Sequence, residues 1–381
     1  MRVKTILISI LLAMSLCANA QTQFTITETL KSSLSDSVTN QIVNSLDRLL
    51  ISIDNEQLDT TLIDNEYADL NRNFFRYLKG VERKDTIQKY FQGQLINLYP
   101  VENKHHLLTL AYTKGSEIGR IYTFLAKEDN EKIVFANPLK YNTKYWKTAI
   151  IGTITYYFPD TIDTKRAELF NQKNISIAHK LNLPVRNWDM YMCRNYQETI
   201  QLQGCLYEYT RAGYINSGDM IDPKTILSVM NDEDFSHDVF HCYAREIRGS
   251  STLNRTAEEG IAYLWGNTYH MGKAGKAPEQ KDLVPLLQQY LKIHQDASLL
   301  YLFEKNPDIF AEYGYPTPIS VKSVISGIIC EEIEKQKGSE GIIELIKCGS
   351  GDEKYFKSIE NLIGINKNNF NAEVKKLVFN K

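Results

Sequence analysis

The sequence predicts an α+β protein of two domains. The first is small, with a helix packed on an antiparallel sheet. The second is mostly helical in its C-terminal half. Three observations predict this. The chain has 381 residues, which at about 100–200 residues per domain suggests two domains. Hydrophobic residues make up 43% and charged residues 24%, near the globular average, which excludes a disordered, collagenous or low-complexity chain. The apolar pattern runs as short strand-like segments up to about residue 150 and turns to helical spacing from Asp222 onward. Lys plus Arg number 44 against 46 Asp plus Glu, a net charge of -2, so charge predicts no nucleic-acid partner.

The N-terminus reads as a secretory signal. Arg2 and Lys4 form a positive start, Ile6 to Leu16 an apolar core, and Ala18-Asn19-Ala20 a small-x-small cleavage site. The core is too short for a membrane helix of about 20 residues. Residues 1–20 are therefore expected to be removed, leaving a chain from Gln21, exported to the periplasm or out of the cell, with no stable membrane span. The alternatives are an uncleaved anchor and lipidation at Cys17, for which Leu16 is a poor preceding residue.

Residues 21–148 form the expected first domain. Val38, Ile42, Val43, Leu46, Leu49 and Leu50 give a helix over Asp36 to Ile53. Apolar runs follow at Leu95 to Val101, His106 to Tyr112, Arg120 to Leu125 and Lys132 to Ala136. Asn103, Gly115, Asn130 and Pro138 separate them as turns separate a meander. His105 and His106 are adjacent, so on a strand they face opposite ways and do not share a metal.

Residues 149–381 form the second domain. A strand is expected over Ala149 to Phe158, a helix over Thr164 to Leu181, and extended runs at Trp188 to Cys193 and Cys205 to Tyr209. A helix then begins near Asp232, with Asn231 or Asp232 as its cap and Glu233 and Asp234 at the positive end of its dipole. Phe235, Val239, Tyr243 and Ile247 give it a buried face, and Gly249 ends it. His237 and His241 project from one face of this helix, four residues apart, a spacing at which two imidazoles can chelate one zinc. Zinc needs a third protein ligand and an open position for water. Glu259, in the next helix, can supply that ligand across an antiparallel pair. It has a competing structural role, because Thr256 and Glu259 fit a capping box.

At these residues the chain resembles the gluzincin, or peptidase MA-like, zinc metallopeptidases. Their pattern is His-Glu-x-x-His, followed on the next helix by a glutamate ligand that usually precedes a glycine. Here it reads His237-Asp238-x-x-His241, then Glu259-Gly260. The resemblance implies a zincin-like catalytic domain over about residues 150–381, with His237, His241 and Glu259 as zinc ligands. It places Glu258 where a supporting polar residue often sits, and implies a peptide or protein substrate. The segments Tyr191 to Cys193 and Gly204 to Tyr207 resemble the family's edge strand. Asp238 stands where the family has the glutamate that takes a proton from water, on a stem one methylene shorter. The family also uses a downstream tyrosine or histidine to stabilise the oxyanion; Tyr313 and Tyr315 are candidates, with Tyr315 preferred among the 23 tyrosines. Asp238 favours a second expectation, a catalytically weak or inactive zincin-like scaffold that binds a peptide or protein partner. Residues 21–150 resemble, more loosely, the cone-shaped α+β fold of nuclear transport factor 2 relatives.

Other patterns carry less. Gly272 to Lys276 lacks the spacing and preceding strand of a phosphate loop. The His237-Asp238 dyad resembles the HD phosphohydrolases, but His179 does not supply their further upstream histidine. Cys193, Cys205, Cys242, Cys330 and Cys348 remain after signal removal. Export permits pairing, with Cys193–Cys205 preferred and Cys330–Cys348 second. No Cys-x-x-Cys spacing occurs, so thiolate zinc is not expected.

Overall fold

The computed structural model describes residues 24–27, 30, 34–55, 57–85, 91–102, 104–130, 132–209, 218–229, 232–269, 276–315 and 318–380. The signal-peptide expectation and the Gly272 to Gly275 segment lie outside these residues. The fold is mixed α and β, as expected. It divides into two compact units: residues up to Tyr141 together with Ile200–Gly213, and Asn142–Thr199 together with Tyr214–Lys381.

The first unit holds β1 (Phe24–Ile26), α1 (Asp36–Asp54), α2 (Ala68–Asp85), β2 (Gln92–Pro100), β3 (His105–Lys114), β4 (Glu117–Asp129) and β5 (Lys132–Ala136). A short α3 (Leu139–Asn142) follows. The strands pair in sequence order, β1 parallel to β2 and the rest antiparallel. Ser35 caps α1 by accepting from the Val38 amide. Ile42, Leu46, Leu49 and Ile53 of α1 are buried, as are Leu95, Leu98, Leu108, Phe124 and Phe135 of the sheet. His105 is half-buried and His106 buried, and the latter lies 2.8 Å from Glu128 through Nε2.

The second unit opens with β6 (Lys147–Ile151) and β7 (Ile154–Phe158), an antiparallel hairpin where the sequence suggested one strand. Gly152, at φ 59°, makes the turn, a left-handed conformation that glycine takes without steric cost. Then come α4 (Thr164–Lys180), β8 (Trp188–Met192), α5 (Tyr196–Leu202), β9 (Cys205–Glu208), β10 (Gly218–Met220) and β11 (Thr225–Ser228). The sheet order is β10-β11-β8-β7-β6, with β7, β8 and β11 parallel and β10 antiparallel at one end. β11 occupies a stretch expected to be helical. β9 belongs to the first unit, where it pairs with β4, so it is not the edge strand that the resemblance implied. The five cysteines after residue 20 are free. Cys193 falls in the second unit and Cys205 in the first.

The rest of the second unit is helical: α6 (Ser236–Arg248), α7 (Arg255–Trp265), α8 (Gln280–Ile293), α9 (Leu299–Lys305), α10 (Val321–Ile346), α11 (Asp352–Ile363) and α12 (Phe370–Phe379). One apolar core joins the sheet to these helices through residues such as Tyr156, Phe170, Met190, Phe240, Ile261 and Ile328. Asn174 of α4 ties the layers together. Its Oδ1 accepts from Trp188 Nε1 at 3.0 Å and from the Tyr243 hydroxyl at 2.9 Å. Gly260 lets α7 and α10 approach closely: a Cβ there would meet Ser326 Oγ at 2.2 Å. With hydrogen in that place, Ser326 donates to Thr256 O at 2.8 Å and fixes α7 on α10.

Candidate metal centre

The approach to α6 is built by buried charge. Asp232 and Asp234 are fully buried in the segment before the helix, not inside it. Arg166 of α4 grips Asp232 with two bonds of 3.0 and 2.7 Å. Lys173, two turns along the same helix face, meets Asp234 at 2.7 Å and Glu279 at 2.9 Å. Glu233 accepts from the Asp163 amide at 2.6 Å. Of the expected cap and dipole residues, Asp232 and Asp234 are thus ion-pair partners and Glu233 holds a backbone amide. The N-cap is Phe235, without a side-chain bond, and Ser236 donates its amide to Asp234. Gly249 ends the helix as expected, at φ 57°.

α7 starts at Arg255, and Asn254 is its cap, accepting from the Ala257 amide at 3.1 Å. The capping box suggested for Thr256 and Glu259 does not form. Thr256 instead donates to Asp352 at 2.7 Å. Glu259 is left to face α6.

His237, His241 and Glu259 converge, the group of three among the described residues with ligand atoms close enough to hold one metal ion. The two Nε2 atoms are 3.2 Å apart. Glu259 Oε2 is 3.5 Å from His237 Nε2, and Oε1 is 3.6 Å from His241 Nε2. Zinc bonds of about 2.0–2.2 Å at tetrahedral angles separate their donors by about 3.4 Å. The imidazole pair is thus near the spacing of two zinc ligands, each carboxylate oxygen lies near that spacing from one imidazole, and one donor atom from each of the three residues lies within 4.8 Å of the others. The set of two neutral nitrogens and one carboxylate suits zinc. Glu259 remains 39% exposed and His241 25%, against 7% for His237, so the face opens toward solvent on the Glu259 side.

Each imidazole is held from behind. His237 Nδ1 lies 2.8 Å from the Asn267 carbonyl, and His241 Nδ1 lies 3.3 Å from Glu258 Oε2. A carbonyl accepts but never donates, so His237 carries its proton on Nδ1 and presents the Nε2 lone pair to the cluster. Glu258 is buried and its other oxygen is gripped by Arg248. Burial opposes charge on His237, but Glu259, Asp238 and the Asn267 carbonyl together outweigh it and raise the imidazole pKa. Burial works against ionised Glu259 too, yet His237 and His241 hold its pKa below the usual carboxylate range.

Asp238 stands beside this group. Its Oδ2 is shielded from solvent and has no hydrogen-bond partner among the described residues. Burial pushes its pKa up, against the pull of His237 and His241, and Glu259 and Asp219 of β10 push it further. β10 reaches α6 here: Met220 Sδ is 3.1 Å from Cys242 Sγ. Tyr315 lies half-buried against the core of the same unit, and the charge that bears on it is Asp282 of α8. The tyrosines that flank His237 are Tyr263 and Tyr269, with ring centroids at 5.9 and 5.5 Å. Tyr263 is buried, with its hydroxyl bonded to the Ser320 backbone. Tyr269 is half-buried with φ 66°, a strained conformation for a bulky residue.

The sequence reading missed Asn267, Tyr263 and Tyr269. Gly266-Asn267 signals only a helix stop. Tyr263, one turn after Glu259 on the same helix face, is the one that spacing marks out. No family model and no curated protein matches the chain.

Proposed function

We propose that the second unit is a zinc-dependent peptidase of gluzincin type, exported by the N-terminal signal. His237, His241 and Glu259 are its metal ligands and Asp238 its general base. The observation that carries the reading is the convergence of one donor atom each from His237, His241 and Glu259 within 4.8 Å, with both Nδ1 atoms occupied from behind. A bound zinc ion would supply Lewis acidity toward a carbonyl and toward water. Asp238 would accept a proton from the attacking water and return it to the leaving amine. Its unpartnered Oδ2 suits that work, since no competing donor holds it. β10, at the end of its sheet and beside α6, offers a strand edge along which an extended peptide can lie. Tyr269 flanks the ligands and is a better candidate than Tyr315 for oxyanion stabilisation.

A second reading is favoured by Asp238 itself. Its stem is shorter than the family's glutamate, which suits a scaffold that binds peptide without cutting it. Incubation of the whole chain with a quenched-fluorescent peptide library separates the two. The peptidase reading expects cleavage that a chelator abolishes and added zinc restores. Binding of peptides without cleavage at full zinc occupancy supports the scaffold.

A further inference from the structure

Asn267 is fully buried just past the end of α7. Three of its polar groups serve the metal-centre histidine or the segments around it. The carbonyl accepts from His237 Nδ1 at 2.8 Å. The side-chain Nδ2 donates to Asp234 O at 2.9 Å, and Oδ1 accepts from the Tyr269 amide at 2.9 Å. Tyr269 is in the left-handed region at φ 66°, which is strained for a non-glycine residue and persists only where its surroundings hold it. Lys173 closes the circuit. Its Nζ meets Asp234 Oδ2 at 2.7 Å and Gly266 O, the residue before Asn267, at 2.9 Å.

We propose that Asn267 is the positioning residue of this centre. Its side chain anchors the turn whose carbonyl keeps the His237 proton on Nδ1 and turns Nε2 toward His241 and Glu259. Lys173 and Asp234 in turn hold Asn267. The importance of that orientation rests on the metal-centre reading; the orientation itself does not.

Two readouts test it in the whole chain. Long-range proton–nitrogen correlation of the metal-free protein, at a pH where imidazole is neutral, reports which nitrogen of His237 carries the proton. Competition with a chromophoric chelator reports zinc affinity. Wild type is expected to show the Nδ1–H form alone. Asn267→Ala is expected to show a mixture of forms and a zinc affinity about 10–100-fold lower, the usual effect of losing a partner behind a ligand. Lys173→Met acts on the same turn through Asp234 and should move both readouts the same way by less, which keeps the test open if Asn267→Ala does not fold. Asn267→Asp keeps the acceptor for Tyr269 and should restore part of the loss. A purely structural asparagine would lower the melting temperature alone. If both variants keep the Nδ1–H form and bind zinc within twofold of wild type, the inference is overturned. If wild type binds no zinc, the metal reading fails, and the tautomer of His237 in the variants still decides what Asn267 does.

Discussion

Replacing Asp238 should move stability and activity in opposite directions. Its Oδ2 has neither solvent nor a hydrogen-bond partner among the described residues. A buried polar atom in that state costs about 1–3 kcal/mol, and more when charged. Asp238→Asn removes the charge at nearly constant volume, so the zinc-free protein should gain about 1–2 kcal/mol. At about 2–4 °C per kcal/mol for a domain of this size, that is a clear rise in melting temperature. The same substitution removes the proposed base, a contribution of about 10²–10⁴ in rate. Asp238→Glu adds one carbon–carbon bond, about 1.5 Å of reach. Since a misplacement of about 1 Å can cost a hundredfold, glutamate should raise turnover, by up to about that factor. The assay pairs peptide hydrolysis with zinc content and a thermal scan on the same samples. Full zinc and unchanged turnover in Asp238→Asn would refute its role as base. A fall in melting temperature would show that Oδ2 is satisfied in solution.

Glu258→Gln removes the charge between Arg248 and His241, and zinc affinity should fall about 10–100-fold in a chelator competition. Arg166→Met leaves Asp232 buried without its ion partner, which should cost about 3–5 kcal/mol in chemical denaturation. Glu279 and Asp352 contribute to the loss of stability in acid. Burial opposes ionisation of both, but Lys281 and Lys173 hold the first below the usual range, and Lys322 and Thr256 the second. A depressed folded pKa stabilises above the unfolded value, so their contribution is full above about pH 4.5 and is lost as pH falls through the folded values. Glu279→Gln should flatten that acid limb in denaturation measured from pH 6 to 2.

Local pattern carried α1 and the strands β2 to β5 of the first unit, and gave no sign of α2 (Ala68–Asp85). The helix expected over Asp36 to Ile53 is Asp36–Asp54, and the run Lys132 to Ala136 is a strand with those limits. Spacing alone placed His237 and His241 on one helix face, because a helix repeats every 3.6 residues. What escaped depends on partners far along the chain. Asp232 and Asp234 look like helix-start residues until Arg166 and Lys173 arrive from α4. The box of Thr256 and Glu259 looks plausible until Asn254 takes the cap. The hairpin of β6 and β7 was readable, since Gly152 inside a strand pattern is a break signal. The pairing of β9 with β4 was not, because nothing within Cys205–Glu208 distinguishes one sheet edge from another.

The central claim is that His237, His241 and Glu259 hold one zinc ion. Equilibrium dialysis of the purified chain against buffered zinc, with metal and protein measured on the same sample, tests it most directly. The account predicts one zinc per chain in wild type, and less than a tenth of that in Glu259→Ala and His241→Ala at the same free zinc. Wild type and variants with equal zinc, or wild type with none, would contradict it.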